Sequence, residues 1–123
     1  MCLVDAKIKE TTEDIVCYKI YLSSEGKLRA PFMRFLAPDM NKVAKTYLEE
    51  PYGSENCVDR GFHSFANLED ALKMEENMWE FFNKVVMKCI IPKDSKCYVG
   101  TFQGSTSYCS ESIILKEIIN VKW

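Results

Sequence analysis

Apolar and polar positions along the chain divide it into short strand-like runs and one longer helical run. Residues 15–22, Ile-Val-Cys-Tyr-Lys-Ile-Tyr-Leu, are β-branched and aromatic and predict a strand. Ser23-Ser24-Glu25-Gly26 ends it as a turn, and 28–36, which includes Pro31, reads as a short edge strand. Gly61-Phe62-His63-Ser64-Phe65 alternates and predicts a further short strand. From Asn67 the period changes. Leu68, Ala71, Leu72, Met78, Trp79 and Phe82 recur at helical spacing, and Glu69, Asp70, Lys73, Glu76, Glu80 and Lys84 take the opposite face. Asn67 is a good N-cap, with Asp70 three residues on. The main helix is therefore expected over about 67–84. Met40, Val43, Ala44, Tyr47 and Leu48 are also spaced for a helix, which predicts a second, short one over about 39–48, closed by Pro51. Val85 to Ile91 reads as a buried strand stopped by Pro92, Lys96 to Val99 as a short strand, and Ser112 to Val121 as a long one. Residues 10–14 and 49–60 read as loops, with 49–60 exposed and mobile, and 100–107 is polar and contains glycine.

This order is not a regular βαβ alternation. It predicts an α+β fold: a mixed, largely antiparallel sheet with one main helix, in a single domain spanning 1–123. With 123 residues, 47% of them hydrophobic and 28% charged, the chain is long enough and apolar enough to bury a core without a metal or disulfides. That composition excludes a disordered or collagen-like chain, and no run of about 18 apolar residues predicts a transmembrane helix.

Charge narrows the partners. There are 16 basic and 18 acidic residues, interspersed, with an isoelectric point near 5.5 and no Lys/Arg run. This disfavours nucleic acid and the membrane surface, both of which reward a basic face. The six cysteines are an even number. However, Asp5 interrupts any signal-peptide pattern at the start, and Cys17 and Cys89 sit in apolar runs, where cysteine acts as a small hydrophobe. Reduced thiols in a cytoplasmic protein are expected. No pair of cysteines has the C-x2–4-C spacing of a zinc site, and His63 is the only histidine, so no metal site is expected.

Few residues stand out chemically. His63 is a candidate ligand-orienting donor or general base, or else a strand histidine bonded to a nearby carbonyl. Ser64, its neighbour on a strand, points the other way and is a poor triad partner. Glu111, just before the last strand, is a candidate carboxylate, or a solvated loop acid. Tyr18 and Tyr108 are further candidates, Tyr108 for ligand binding. Lys19 and Lys88 interrupt apolar strands and are expected to face outward or to line a groove. Cys2 would become an N-terminal nucleophile if Met1 were removed, although the chain is short for that enzyme class. Phosphate-cradling glycine motifs are absent.

Several segments, taken in order, resemble a group of small uncharacterised proteins of Bacteroides-type gut bacteria and phages. They are Asp14-Ile15-Val16-Cys17-Tyr18-Lys19, Ala30-Pro31-Phe32, Gly61-Phe62-His63-Ser64-Phe65, Cys89-Ile90-Ile91-Pro92-Lys93-Asp94-Ser95 and Tyr108-Cys109-Ser110. This resemblance implies an origin and no mechanism. A second, slighter likeness is to the ADP-ribosyltransferase-like fold, carried by Tyr18-Lys19, Gly61-Phe62-His63-Ser64 and Glu111 in comparable order. It implies NAD as cofactor, with His63 holding the nicotinamide ribose and Glu111 polarising a ribose hydroxyl. The early strand carries Tyr18 and Lys19 where that fold has Arg or His, and Glu111 stands two residues before Ile113. The leading expectation is a non-enzymatic interaction protein without a cofactor, binding a protein partner through a sheet edge or the loop 49–60. An NAD- or nucleotide-binding relative is the alternative, and a cysteine-nucleophile hydrolase a third.

Overall fold

The computed structural model describes residues 3–24, 26–30, 36–77 and 83–122. In chain order the elements are β1 (Val4–Ile8), β2 (Ile15–Ser24), β3 (Lys27–Arg29), β4 (Val43–Lys45), β5 (Phe62–Phe65), α1 (Leu68–Asn77), β6 (Asn83–Ile91), β7 (Cys97–Phe102), β8 (Ser105–Ser110) and β9 (Ser112–Lys122). The strands form one nine-stranded sheet in the order β1-β7-β8-β5-β2-β6-β9-β4, with β3 also on β2. Every ladder in it is antiparallel. The fold is thus mostly β with one helix, which matches the expected sheet-plus-helix class only loosely.

The sheet curls onto itself. β8 and β9 are separated by Glu111 alone and act as one bent strand. β8 pairs with β5, and β9 pairs with β6. Both ends reach β2, through nine residue pairs between β2 and β6 and the single pair Tyr18–Phe65 between β2 and β5. The path β8-β5-β2-β6-β9 therefore closes a ring. Inside lie Cys17, Tyr21, Val85, Met87, Cys89, Ile91, Cys97, Ile113 and Leu115, with Phe62 and Tyr108 packed against them.

Burial along β6 records what covers its outer face. Lys84 to Met87 are buried on both faces, whereas from Lys88 onward burial alternates. The cover is α1. Its Ala71, Leu68, Leu72 and Met74 pack on Ile20, Phe65, Val86 and Phe102. The Asn67 carbonyl takes the first helical hydrogen bond, from Ala71 N at 3.3 Å. The Asn67 side chain bonds to Asp70 Oδ2 at 3.3 Å instead of reaching back to the chain. At the other end Lys84 Nζ donates to the Glu75 carbonyl at 2.9 Å, a cation where a helix C-terminus favours one. The expected helix over 67–84 is therefore too long: Lys84 belongs to β6 and is buried, not solvated. Met78, Trp79 and Phe82 lie outside the described residues, as do Cys2 and Pro31.

The short helix expected over 39–48 is corrected to an extended segment. Met40 bridges Leu115, and Val43–Lys45 form β4 on β9. The same residues fit a period of two, with Val43 and Tyr47 exposed and Leu48 buried. A free edge on β9 and the β-branched Val43 and Thr46 favour the strand. The polar reading of 100–107 is corrected to a hairpin, β7 to β8, turning at Gln103 and Gly104, both with positive φ. The loop expected over 49–60 is held down. Tyr52 and Cys57 exchange both backbone bonds, Val58 pairs with Leu3, and the Asp5 and Ala6 N–H groups donate to Glu55 and Asn56. Leu48 and Val58 are buried with Leu3, Ala6, Tyr98 and Cys109 in a second cluster.

Candidate functional site

His63 lies on β5 opposite Cys109 of β8, on the face covered by the 48–60 segment. Its Nε2 stands 2.6 Å from the Asp59 carbonyl. A carbonyl only accepts, so the ring proton sits on Nε2, and Nδ1 is left as a buried acceptor without a partner. Cys109 Sγ is 3.7 Å from the same Nε2 and donates to the Arg60 carbonyl at 3.7 Å. This thiol–imidazole pair is invisible in the sequence, where the residues are far apart. Its electrostatics oppose nucleophile chemistry. Burial holds the imidazole down at about 4 and pushes the Cys109 thiol up to about 12. Near neutral pH the pair is a neutral thiol beside a neutral ring, not a thiolate–imidazolium couple.

The depressed basicity of His63 gives a pH dependence. The unfolded residue titrates near its ordinary 6.5 and the folded one near 4. Above about 6.5 neither state is protonated. As pH falls toward 4 only the unfolded chain takes the proton, so stability drops, by up to about 3 kcal/mol. Denaturant titrations at pH 7.5 and 4.5 should show this loss in the wild type and a clearly smaller loss in His63→Gln. Equal losses would remove His63 as the cause.

The other sequence candidates stand elsewhere. Tyr18 is on the outer face of β2, against the α1 cluster. Tyr108 packs on the interior cluster, where burial raises its phenol pKa. Glu111 is the corner between β8 and β9. Its backbone bonds Lys96 and Thr46, and its Oε1 accepts from Lys96 N at 2.9 Å. It lines an open groove of about 460 Å³ with Ile8, Lys9, Thr11, Asp94 and Lys96. Neither His63, Tyr18 nor Tyr108 borders that groove. The four candidates are therefore not brought to one site. Among the described residues no group of three or more His, Cys, Asp or Glu is arranged to hold a metal ion. None of the described helices is long and apolar enough to cross a membrane.

Lys88 faces outward toward Glu117, at 3.8 Å. Lys19 does not face outward. It shares the inner face of β2 with Cys17 and Tyr21, donates to the His63 carbonyl, and lies 5.6 Å from the Tyr21 ring centre and 5.9 Å from that of Phe62. Its burial lowers its pKa, an effect opposed by the nearby thiols of Cys89, Cys17 and Cys109.

One surface was hidden by the misread helix. Val16 is opposite Ile90, Ile90 opposite Ile114, and Ile114 opposite Val43. These side chains form an aliphatic row across β2, β6, β9 and β4, on the outer face beyond the reach of α1. Val16 is 43% exposed and Val43 54%. The row ends at β4, which has no strand on its far side among the described residues. Thr46 N bonds Glu111 across the ladder. By antiparallel alternation Ala44 also bonds β9, while the backbone groups of Val43 and Lys45 point away from it. The side chains of Val43, Lys45 and Tyr47 are exposed, and the Lys45 ammonium has no ion-pair partner among the described residues.

Comparison with protein-family models, with curated proteins and with solved structures finds no match to this chain.

Proposed function

We propose that this chain is a non-enzymatic interaction domain that takes up an extended segment of a partner protein along β4. The observation that carries the reading is the aliphatic row Val16–Ile90–Ile114–Val43, uncovered and running out to an unpaired edge. An added strand gains backbone bonds to Val43 and Lys45, and its side chains continue the rows of the sheet. The occupant's chemistry follows from the edge. Val43 and Lys45 are two residues apart on one face, so the partner segment carries an aliphatic residue and, two positions away, an acidic one. Lys45 and the shortness of β4 discourage indiscriminate edge pairing, which is how natural edges stay soluble. This reading uses neither the Glu111 carboxylate nor His63.

A library of displayed peptides selected on the folded protein tests it. The expected result is enrichment of segments with an aliphatic and an acidic residue two apart. Lys45→Glu, an exposed change that leaves the fold intact, should weaken the selected peptides at least tenfold and turn selection toward basic ones. No enrichment, or peptides indifferent to Lys45→Glu, would overturn the proposal.

A further inference from the structure

Inside the ring, away from the proposed docking edge, two thiols face each other. Cys17 and Cys89 are direct partners in the β2–β6 ladder, and neither is exposed to solvent. Residues directly opposite in an antiparallel pair have Cα atoms about 4.5–5.5 Å apart. A disulfide needs about 4.4–6.8 Å, so the backbone already satisfies it. Both side chains belong to the same buried cluster, where the Cys89 thiol donates to the Met87 carbonyl at 3.6 Å. Ser64 is a second, independent sign. It is fully buried, its Oγ makes no hydrogen bond among the described residues, and it is one of the groups that lower the Cys17 pKa. A buried hydroxyl without a partner is costly unless it serves something that forms there. A thiolate on Cys17 would be such an acceptor.

We propose that Cys17 and Cys89 are a cross-strand dithiol that a peroxide oxidises to a disulfide within the folded protein. Lys19 follows two residues after Cys17 on the same face of β2. The neighbouring Cys89, and after it Ser64 and the Lys19 charge, lower the Cys17 pKa against its burial, while Cys17 and burial raise that of Cys89. The Cys17 thiolate attacks one peroxide oxygen, the O–O bond breaks, and a sulfenic acid forms. The departing hydroxide takes the proton that Cys17 gave up and leaves as water. The Cys89 sulfur then attacks the sulfenic sulfur, its S–O bond breaks, and the hydroxyl leaves as water with the Cys89 proton. Two thiols lose two electrons in all, and one peroxide becomes two waters.

The other described thiols lack this arrangement. Cys97 stands opposite Ser110 and Cys109 opposite His63 and Tyr98, and burial pushes both of these thiols up to about 12. Cys57 is half-buried in the 48–60 segment.

The test uses the reduced full-length chain, treated with equimolar hydrogen peroxide without denaturant, then alkylated and digested with trypsin without reduction. The expected product joins peptide 10–19 to peptide 89–93, and two of the six thiols escape alkylation. Cys89→Ala should abolish that product and leave the Cys17 peptide with an oxidised or alkylated single thiol. If the cross-link forms only after denaturant is added, or joins other cysteines, the proposal is overturned. Mapping the wild-type chain decides this even if the variant does not fold. Because it reads only the interior cluster, its outcome is independent of peptide binding at β4.

Discussion

Gly61→Ala is expected to lower the free energy of unfolding by about 2–5 kcal/mol, a large part of the roughly 5–15 kcal/mol that holds a domain together. Two effects add. Gly61 has φ of +147°, a conformation that L side chains rarely adopt. A methyl group there would also stand 2.5 Å from Cys109 Sγ, 2.7 Å from Leu48 Cδ1 and 3.3 Å from the Ser110 carbonyl. Cys109 and Leu48 are both buried in the second cluster and have no free direction in which to give way. Gly61 leads into β5, so a shift there also displaces His63 from Asp59. Equilibrium denaturation in urea measures the loss. A variant within about 0.5 kcal/mol of wild type would mean that the 48–60 segment is lifted easily, and that the second cluster contributes little.

Ile113→Ala is expected to cost about 2–5 kcal/mol, from lost burial plus the cavity left behind. Ile113 has no exposed surface and sits just past the Glu111 corner, where β8 becomes β9. It faces Ala44 across the ladder and packs with Met87, Leu115 and Cys17 inside the ring. Curled walls on all sides limit how far the site can collapse, which favours the upper part of that range. Val43→Ala, one ladder position away but on the exposed face, should change stability by no more than about 0.5 kcal/mol. The contrast between neighbours is the measurement. Similar losses at both positions would mean that the outer row is covered in the free protein, which would also count against docking at β4.

The central strands were legible because their chemistry is local. Ile15 to Leu22 and Val85 to Ile91 are dense in β-branched and aromatic residues, and Pro92 stops the second. The start of α1 was legible for a similar reason, since Asn67 and Asp70 mark an N-terminus whatever lies around it. The end of α1 was not. Lys84 looked like one more charged residue on a solvated face, and only its place in β6 beneath the helix makes it buried.

The segment 39–48 shows why pattern alone fails. Met40, Val43, Ala44, Tyr47 and Leu48 satisfy spacings of three and four, yet also alternate out and in from Val43 to Leu48. A short run cannot choose between these periods, and the choice fell to the open edge of β9. The docking surface was lost with it. For Lys19 the sequence leaves open an outward position or a groove lining for a related reason: which face of β2 is interior depends on how the sheet curls, not on β2.

The sequence by itself determined that Ile15 to Leu22 and Val85 to Ile91 extend, where α1 begins, and that a core of this size could form. These follow from side-chain type and near-neighbour spacing. Tertiary structure alone decided that β8 and β9 close a ring, that Cys17 meets Cys89 and His63 meets Cys109, and that Lys19 lies on the inner face of β2. Each of those is a matter of strand register between residues distant in sequence. Register is set by the fit of whole faces against one another, which no window of neighbouring residues contains.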